Sequence, residues 1–281
     1  MSKLLGEAIV LTVLLGTSLK FAGKFIVQTQ SDGPVSMLVV DFTTPDAVRA
    51  YANYDAQRIE EAIASGQISS AKLLGRGTLA MTVDQGENTQ RYQGIVALEE
   101  TSLEEAALTY FRQSEQIPTY VRMAVAEALT PQKGEGFTHA WRAGGILIQY
   151  LPREESKLTI RDIPGGDAPV DAAKAVSEER SDFWLEAKSL VATVSDDELT
   201  DPDIGSQRLL YRLFHEHGVH IFAGPHVADK CSCSKQRIVD VLTAMNEQTR
   251  TETMQDGKIT STCQFCSTRY TIVADDLKHL L

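Results

Sequence analysis

The four cysteines of this 281-residue chain form two close pairs near its C-terminal end, Cys231-Ser-Cys233 and Cys263-Gln-Phe-Cys266. Thiolates are soft ligands that suit zinc, and four of them can surround the ion as a tetrahedron. The 29 residues between the pairs are enough chain to fold back and close such a site. CxxC is the common spacing of a zinc-binding turn, and CxC is less usual. We predict that Cys231, Cys233, Cys263 and Cys266 bind one zinc ion per chain when they are reduced.

The segment from 228 to 281 has little besides a metal ion to hold it together. Its apolar content is a few side chains, among them Ile238, Val239, Val241, Leu242, Phe265, Tyr270, Ile272 and Val273. A unit this small is marginal on burial alone, whereas structural zinc supplies on the order of 10 kcal/mol of folding free energy. Oxidation of the four sulfurs to disulfides would remove the ligands, release the metal and unfold the unit. The residues themselves therefore predict a redox switch.

The charge of the chain argues against nucleic-acid binding. There are 27 Lys plus Arg and 38 Asp plus Glu, a formal net charge of −11, and the segment from 228 to 281 carries seven basic and seven acidic residues. A nucleic-acid-binding module needs a basic face. A zinc-ribbon module of that kind is thus kept only as an alternative. The sequence has no GxxxxGK[ST] motif, which predicts that the protein uses no nucleotide.

Four histidines just upstream, at 215, 217, 220 and 226, raise the alternative of a catalytic metal site. The run His-Glu-His differs from HExxH, and the end of a helix would place His215 and His217 on different faces. We expect capping, surface or packing roles for these histidines and no enzymatic activity. A further alternative is a thiol–disulfide oxidoreductase that uses Cys263 and Cys266. In thioredoxin-like enzymes, however, the CxxC motif lies within a βαβ unit.

The first 165 residues show mixed helix and strand patterns. β-rich runs at 25–30 and 35–42 flank the turn sequence 31–34, and a similar pair is expected at 79–84 and 92–98. Ser102 and Glu105 form a capping-box pattern at the start of a helix. We predict a further helix at Val121–Leu129, ended by Pro131, and a buried helix in the apolar stretch from Leu4 to Gly16, which is too short to cross a membrane. The pattern predicts an α+β fold.

A turn-rich stretch from Pro164 to Pro169 separates this region from a purely helical one. We predict an α+β core domain at 1–165, a linker and helical region at 166–227, and a small zinc-binding domain at 228–281. Two apolar helix faces in the middle region are expected to pack as ordinary core. Their residues are Phe183, Trp184, Leu190 and Val191 on the first face, and Leu209, Leu213 and Phe214 on the second. Gly218 is expected to end the second helix.

The sequence resembles the 33-kDa chaperonin family, the redox-regulated heat-shock holdases of bacteria. The arrangement of the four cysteines matches the zinc switch of that family. Further matches span the rest of the chain in the family's order, at Tyr92–Glu99, Tyr110–Thr119, Arg142–Pro152 and Arg212–Val219. Members of the family usually carry about 40 to 50 residues before the segment that matches Leu4–Ala8. We therefore expect either a misassigned start or a truncated chain.

The resemblance implies an ATP-independent chaperone that is inactive while its cysteines hold zinc. Oxidants would form the disulfides Cys231–Cys233 and Cys263–Cys266, release the zinc and unfold the C-terminal unit. The helical linker would then loosen and expose the two apolar helix faces named above, which the resemblance makes the candidate surface for capturing unfolding client proteins. The resemblance also implies a homodimer when oxidised. A cytoplasmic location is expected because the sequence shows no convincing signal peptide and the thiols must be reduced at rest.

Overall fold

The computed structural model describes residues 1–19, 21–66, 68–86, 90–115, 117–131, 136–150, 171–254, 256–273 and 276–277. The fold is α+β, as predicted. The helices are α1 Ser2–Ser18, α2 Ala56–Ala64, α3 Ser70–Leu74, α4 Leu103–Tyr110, α5 Asp171–Ala192, α6 Asp196–Thr200, α7 Ser206–Phe214, α8 Lys235–Ala244 and α9 Glu247–Thr253. The strands are β1 Lys24–Ser31, β2 Val35–Thr43, β3 Ala47–Tyr54, β4 Arg76–Asp84, β5 Tyr92–Glu99, β6 Thr119–Pro131, β7 Phe137–Gln149, β8 Ala228–Asp229, β9 Lys258–Thr262 and β10 Arg269–Val273.

A six-stranded sheet in the order β5-β4-β1-β2-β3-β8 forms the centre of the molecule. Strands β1 to β5 pair antiparallel, and the short strand β8 joins the edge of β3 in parallel. Along β1 buried residues alternate with half-buried ones, so that Phe25, Val27 and Thr29 face the core. The expected strand pairs at 25–30 with 35–42 and at 79–84 with 92–98 are confirmed.

Helix α1 is the buried helix that the apolar N-terminal stretch predicts. It packs against β2 on one side and against β6 and β7 on the other, and Leu4, Leu11 and Leu15 are almost completely buried in the largest hydrophobic cluster. The described residues include no helix with the length and apolar character needed to cross a membrane. The predicted capping box at α4 is also confirmed, because Ser102 accepts a hydrogen bond from the backbone N–H of Glu105 and Glu105 accepts one from that of Ser102.

The predicted helix at Val121–Leu129 is wrong, because this segment is the centre of strand β6. Met, Ala, Glu and Leu favour helices, but helix propensity is a weak preference that tertiary pairing overrides. Strand β6 pairs with β7 along its full length, from Thr119 opposite Gln149 to Pro131 opposite Phe137. At the α1 end of this two-stranded ribbon Val121 and Met123 are buried in the main core.

Helices α5 to α7 pack on the β6–β7 ribbon. A second hydrophobic cluster joins Ile146 of β7 to Val191, Val194, Leu209 and Leu213 of the helical region. Helix α5 begins at Asp171, so the polar stretch at 177–182 is helical. The turn-rich stretch from Pro164 to Pro169 lies outside the described residues. Gly218, with a positive φ of 79°, follows the single 3-10 turn after α7, where the sequence predicts a helix stop.

The C-terminal unit consists of α8, α9 and the hairpin of β9 and β10. Among the described residues of this unit, the buried cluster has four members, Val239, Leu242, Ile259 and Ile272, with Ile238, Met254, Tyr270 and Leu277 packed against them. Val241 and Val273, expected in this small core, are exposed. The cluster is much smaller than that of the main sheet, as the apolar content of the sequence leads us to expect.

Candidate metal centre

Two short loops present the four cysteines to each other. The first loop carries Cys231 and Cys233 between β8 and α8, and Ser234 caps α8 by accepting a hydrogen bond from the backbone N–H of Arg237. The second loop carries Cys263 and Cys266 between β9 and β10. The Cys263 N–H donates to the Thr268 carbonyl at 2.9 Å, and the Ser267 N–H donates to the Cys263 carbonyl at 2.8 Å. These bonds close a tight turn whose sulfurs point the same way.

All four sulfur atoms lie within 4.8 Å of one another. The sulfurs of Cys231 and Cys263 are 3.7 Å apart, and those of Cys233 and Cys266 are 3.3 Å apart. Four sulfurs that each lie about 2.3 Å from a central zinc ion would be about 3.8 Å from one another. The cluster therefore has the donor chemistry and nearly the dimensions of a tetrahedral zinc site. It is the single group of three or more possible metal ligands among the described residues.

The sulfur atoms interact electrostatically with one another and with neighbouring hydroxyls. Contact with the hydroxyl and backbone of Thr268 lowers the pKa of Cys266 to about 6. The Tyr270 hydroxyl, 3.1 Å from Cys233, lowers the pKa of that thiol, but the sulfurs of Cys266 and Cys231 outweigh it and raise the pKa to about 12. Sulfurs this close cannot all be anionic at neutral pH without a cation between them. The charge of the site thus also fits a divalent metal ion.

The second loop opens no helix. Cys263 and Cys266 are followed by strand β10, and the motif lies in a β-hairpin. A thioredoxin-like exchange pair would instead sit within a βαβ unit. The loop geometry therefore favours metal binding over the oxidoreductase alternative.

The upstream histidines do not join the cysteine cluster. His215 Nδ1 lies 3.2 Å from the Tyr211 carbonyl at the end of α7, and His217 Nε2 lies 3.1 Å from a Glu186 carboxylate oxygen on α5. His220 and His226 are exposed. These are the capping and surface roles that we expect from the sequence.

The candidate client-binding residues divide into buried and exposed groups. Val191, Leu209 and Leu213 are buried in the second hydrophobic cluster, against which Leu190 and Phe214 pack. Trp184 is half-buried and lines a groove beside Tyr120. Phe183 is 51% exposed, with its ring edge-on to that of His217. Most of the candidate surface is therefore covered in this structure.

Sequence reasoning missed the contacts between the cysteine loops and the main sheet. The guanidinium of Arg49 on β3 lies 3.9 Å from Cys231 Sγ and 4.1 Å from the centre of the Phe265 ring, and Tyr51 on the same strand contacts that ring. Arg49 precedes Cys231 by 182 residues. The single sequence carries no signal that links them, because β8 reaches the edge of β3 only through the tertiary fold.

Comparisons with known proteins place this architecture among molecular chaperones. The family model described as "Hsp33 protein" matches residues 1–273. The "33 kDa chaperonin" of Caulobacter vibrioides is 39% identical over 272 residues, which are 96% of this chain and 82% of that protein. The protein of the same name from Photorhabdus laumondii is 32% identical over 278 residues, 98% of this chain and 81% of its own length.

The fold agrees with a solved structure as well. The crystal structure of the 33 kDa chaperonin from Thermotoga maritima superposes with a TM-score of 0.72, at 20% identity, over 99% of this chain and 84% of that one. The α+β fold, the C-terminal cluster of four cysteines and the chaperonin relatives together identify the class of protein as a chaperone. The chain belongs to the Hsp33 family.

Proposed function

We propose that this protein is a redox-regulated, ATP-independent holdase, which captures unfolding proteins under oxidative stress and is not an enzyme. The observation that carries the proposal is the cluster of four sulfurs within 4.8 Å, located in a unit whose described residues include few buried side chains. A zinc ion bound by Cys231, Cys233, Cys263 and Cys266 would cross-link the two loops and supply most of the unit's stability, on the order of 10 kcal/mol.

Oxidation would consume the four ligands. Two thiolates lose two electrons and form one disulfide bond, and one peroxide molecule takes up these electrons with two protons to give two molecules of water. A second peroxide converts the other pair. The resemblance to the family implies the pairs Cys231–Cys233 and Cys263–Cys266. Every sulfur lies within 4.8 Å of the other three, so proximity alone does not select a pairing.

Loss of the metal ligands would next affect the docking of the helical region. Residues 228–281 act as the switch, residues 166–227 as the linker and residues 1–165 as the core domain in this proposal. The described linker helices bury few large side chains, chiefly Val191, Val194, Leu209 and Leu213. Ordering a residue costs about 1 to 2 kcal/mol of backbone entropy. Without the folded switch that follows it in the chain, such a linker would undock and expose Phe183, Trp184, Leu190, Val191, Leu209, Leu213 and Phe214 to clients.

We further propose that the protein acts in the cytoplasm and binds client proteins there. Reduced thiols at rest fit the cytoplasm. Clients are unfolding proteins, recognised by their exposed apolar segments, and the oxidised form is a homodimer. The sequence has no GxxxxGK[ST] motif and carries a formal net charge of −11, which supports the absence of nucleotide and nucleic acid from the mechanism.

An aggregation assay tests this function. A thermally unfolding test protein is mixed with the reduced, zinc-loaded chain or with the peroxide-treated chain, without nucleotide, and light scattering is followed while released zinc is measured with a chromophoric chelator. We expect suppression of aggregation by the oxidised chain and little by the reduced chain. Full suppression by the reduced, zinc-loaded chain at moderate temperature would contradict the proposal.

A further inference from the structure

The C-terminal unit is joined to the main sheet at one edge strand. β8 pairs with β3, where the Ala228 N–H donates to the Asp46 carbonyl at 2.8 Å and the Lys230 N–H donates to the Val48 carbonyl at 3.0 Å. The Lys230 ammonium also lies 2.8 Å from the Asp46 carboxylate. The hydrogen bond from the Lys230 N–H to the Val48 carbonyl lies directly before Cys231 in the chain. The first cysteine loop therefore starts where the sheet ends.

Arg49 on β3 is fixed from the sheet side. Its Nε and Nη2 both donate to Asp41 Oδ2 on the neighbouring strand β2, at 2.8 and 2.5 Å. The Asp41 side chain is only 7% exposed. A guanidinium held by a buried carboxylate is rigid, and its remaining N–H groups and its flat face are available to other partners.

The free side of this guanidinium contacts both cysteine loops. Nη1 points to Cys231 Sγ of the first loop, and the plane lies over the ring of Phe265, which sits between Cys263 and Cys266 in the second. One cation thus contacts the sulfur cluster and the negative face of an aromatic ring. Four thiolates around a bound divalent ion would keep a net negative charge, which Arg49 would partly balance.

We propose that Arg49 is a positioning residue that couples the redox state of the cysteine centre to docking on the main sheet. This inference rests on the proposed function above. While the sulfurs are thiolates, Arg49 clamps both loops to β3. Disulfide formation by peroxide, with the electron balance given above, removes the negative charge beside Nη1 and rearranges the turn that holds Phe265. The clamp then opens, and the unit leaves β3 directly, without waiting for the linker to loosen.

The test compares Arg49→Lys with the matched control Arg76→Lys, an exposed arginine on β4. Lysine keeps the charge but lacks the planar fork that binds Asp41 and stacks on Phe265. In the reduced chain we expect faster amide hydrogen exchange at 47–51 and 228–230 for Arg49→Lys only. The variant should still bind one zinc ion per chain, but with roughly tenfold lower affinity in chelator competition. Mutation of groups that hold metal ligands in place lowers metal affinity by about 10- to 100-fold, and we expect the lower end of that range.

A second variant, Phe265→Leu, approaches the same contact from the cysteine loop and leaves the main sheet intact. If Arg49 and Phe265 act through one contact, the double variant should exchange no faster at 228–230 than the worse single variant. Unchanged exchange and unchanged zinc affinity in both single variants would overturn the proposal.

The two proposals fail separately. A parent chain that shows no holdase activity after oxidation would refute the proposed function. The exchange measurements at 47–51 and 228–230, made on the reduced and oxidised parent and on the variants, would still decide whether Arg49 clamps the unit. Equal exchange in the reduced and oxidised parent would refute the coupling.

Discussion

At the scale of single residues, the cysteines matter because a sulfur atom can serve either as a metal ligand or as half of a covalent bond, but not as both. The loops hold the four sulfurs close enough either to bind a metal ion or to form disulfide bonds. Contact with Thr268 lowers the pKa of Cys266, and anionic sulfur is also the reactive form towards oxidants. The arrangement that suits a metal ion is thus also one that suits oxidation.

Replacing one ligand tests the zinc assignment. Cys263→Ser exchanges an anionic sulfur for a neutral hydroxyl, so we expect the purified reduced variant to lose tightly bound zinc and the C-terminal unit to unfold. The control is Thr262→Ser, an exposed neighbour on β9. Metal analysis by mass spectrometry gives the stoichiometry. One tightly held zinc ion per chain in Cys263→Ser would show that the ligand set is different.

Glu7 provides a pH-dependent prediction. This half-buried carboxyl on α1 accepts a hydrogen bond from the Ser70 hydroxyl at 2.6 Å, but burial outweighs that bond and raises the pKa of Glu7. A raised pKa means that the folded state prefers the protonated form. The stability from this group is complete below the unfolded value of 4.5 and is lost as the pH rises through the folded pKa.

We therefore expect Glu7→Gln to be more stable than the parent at pH 7, with a difference that shrinks as the pH approaches 4.5. Urea unfolding of the reduced chains at several pH values measures this difference. Glu60→Gln on the exposed side of α2 serves as the control. A parent that is more stable than Glu7→Gln at pH 7 would show that the bond to Ser70 dominates instead.

At the scale of elements, the docking of the linker depends on close approach between backbones. A Cβ atom added at Gly144 on β7 would lie 2.0 Å from the Leu199 carbonyl oxygen of α6. Arg142 also donates from Nε to the Thr200 carbonyl at 3.0 Å, and Arg122 on β6 forms an ion pair with Asp196. Helix α6 therefore rests on the ribbon at a position where only glycine fits.

Gly144→Ala should push α6 away from the ribbon and destabilise the docked linker by about 1 to 3 kcal/mol, the usual cost of overpacking. We expect partial holdase activity in its reduced form, because part of the linker surface becomes exposed. Gly224→Ala is a matched control, since a Cβ there meets nothing within 4 Å. The aggregation assay and limited proteolysis compare the two. Identical behaviour of the two variants would mean that the approach of α6 to β7 does not control the linker.

Many of the secondary-structure elements could be predicted from the sequence. Local signals predicted β1, β2, β4 and β5, the capping box at Ser102 and the stop at Gly218, because each depends on neighbours in the chain. Strand β6 could not be predicted in this way, because its residues favour a helix and the segment becomes a strand only by pairing with β7. The cysteine pattern predicted a metal centre, but Arg49 enters that centre through sheet pairing, which no local pattern records.

At the scale of the whole molecule, the described residues form one large hydrophobic cluster and two small ones along the chain. The largest lies between α1, the main sheet and the base of the ribbon, the second joins the linker helices to β7, and the smallest supports the cysteine loops. Buried apolar area is the main source of stability, so the cluster with the least of it depends most on the metal. A change at the cysteines should therefore spread from the smallest cluster to the second and stop at the largest.

Hydrogen exchange mass spectrometry on the reduced and the peroxide-treated chain tests this central claim most directly. We predict that protection falls after oxidation across the described residues from 183 to 273. Protection should persist in β1, β2 and β5, whose inward-facing side chains belong to the largest cluster. The same samples are assayed for suppression of aggregation. Unchanged protection in α5 to α7 together with increased client binding would contradict the account, because the client-binding surface would then lie elsewhere.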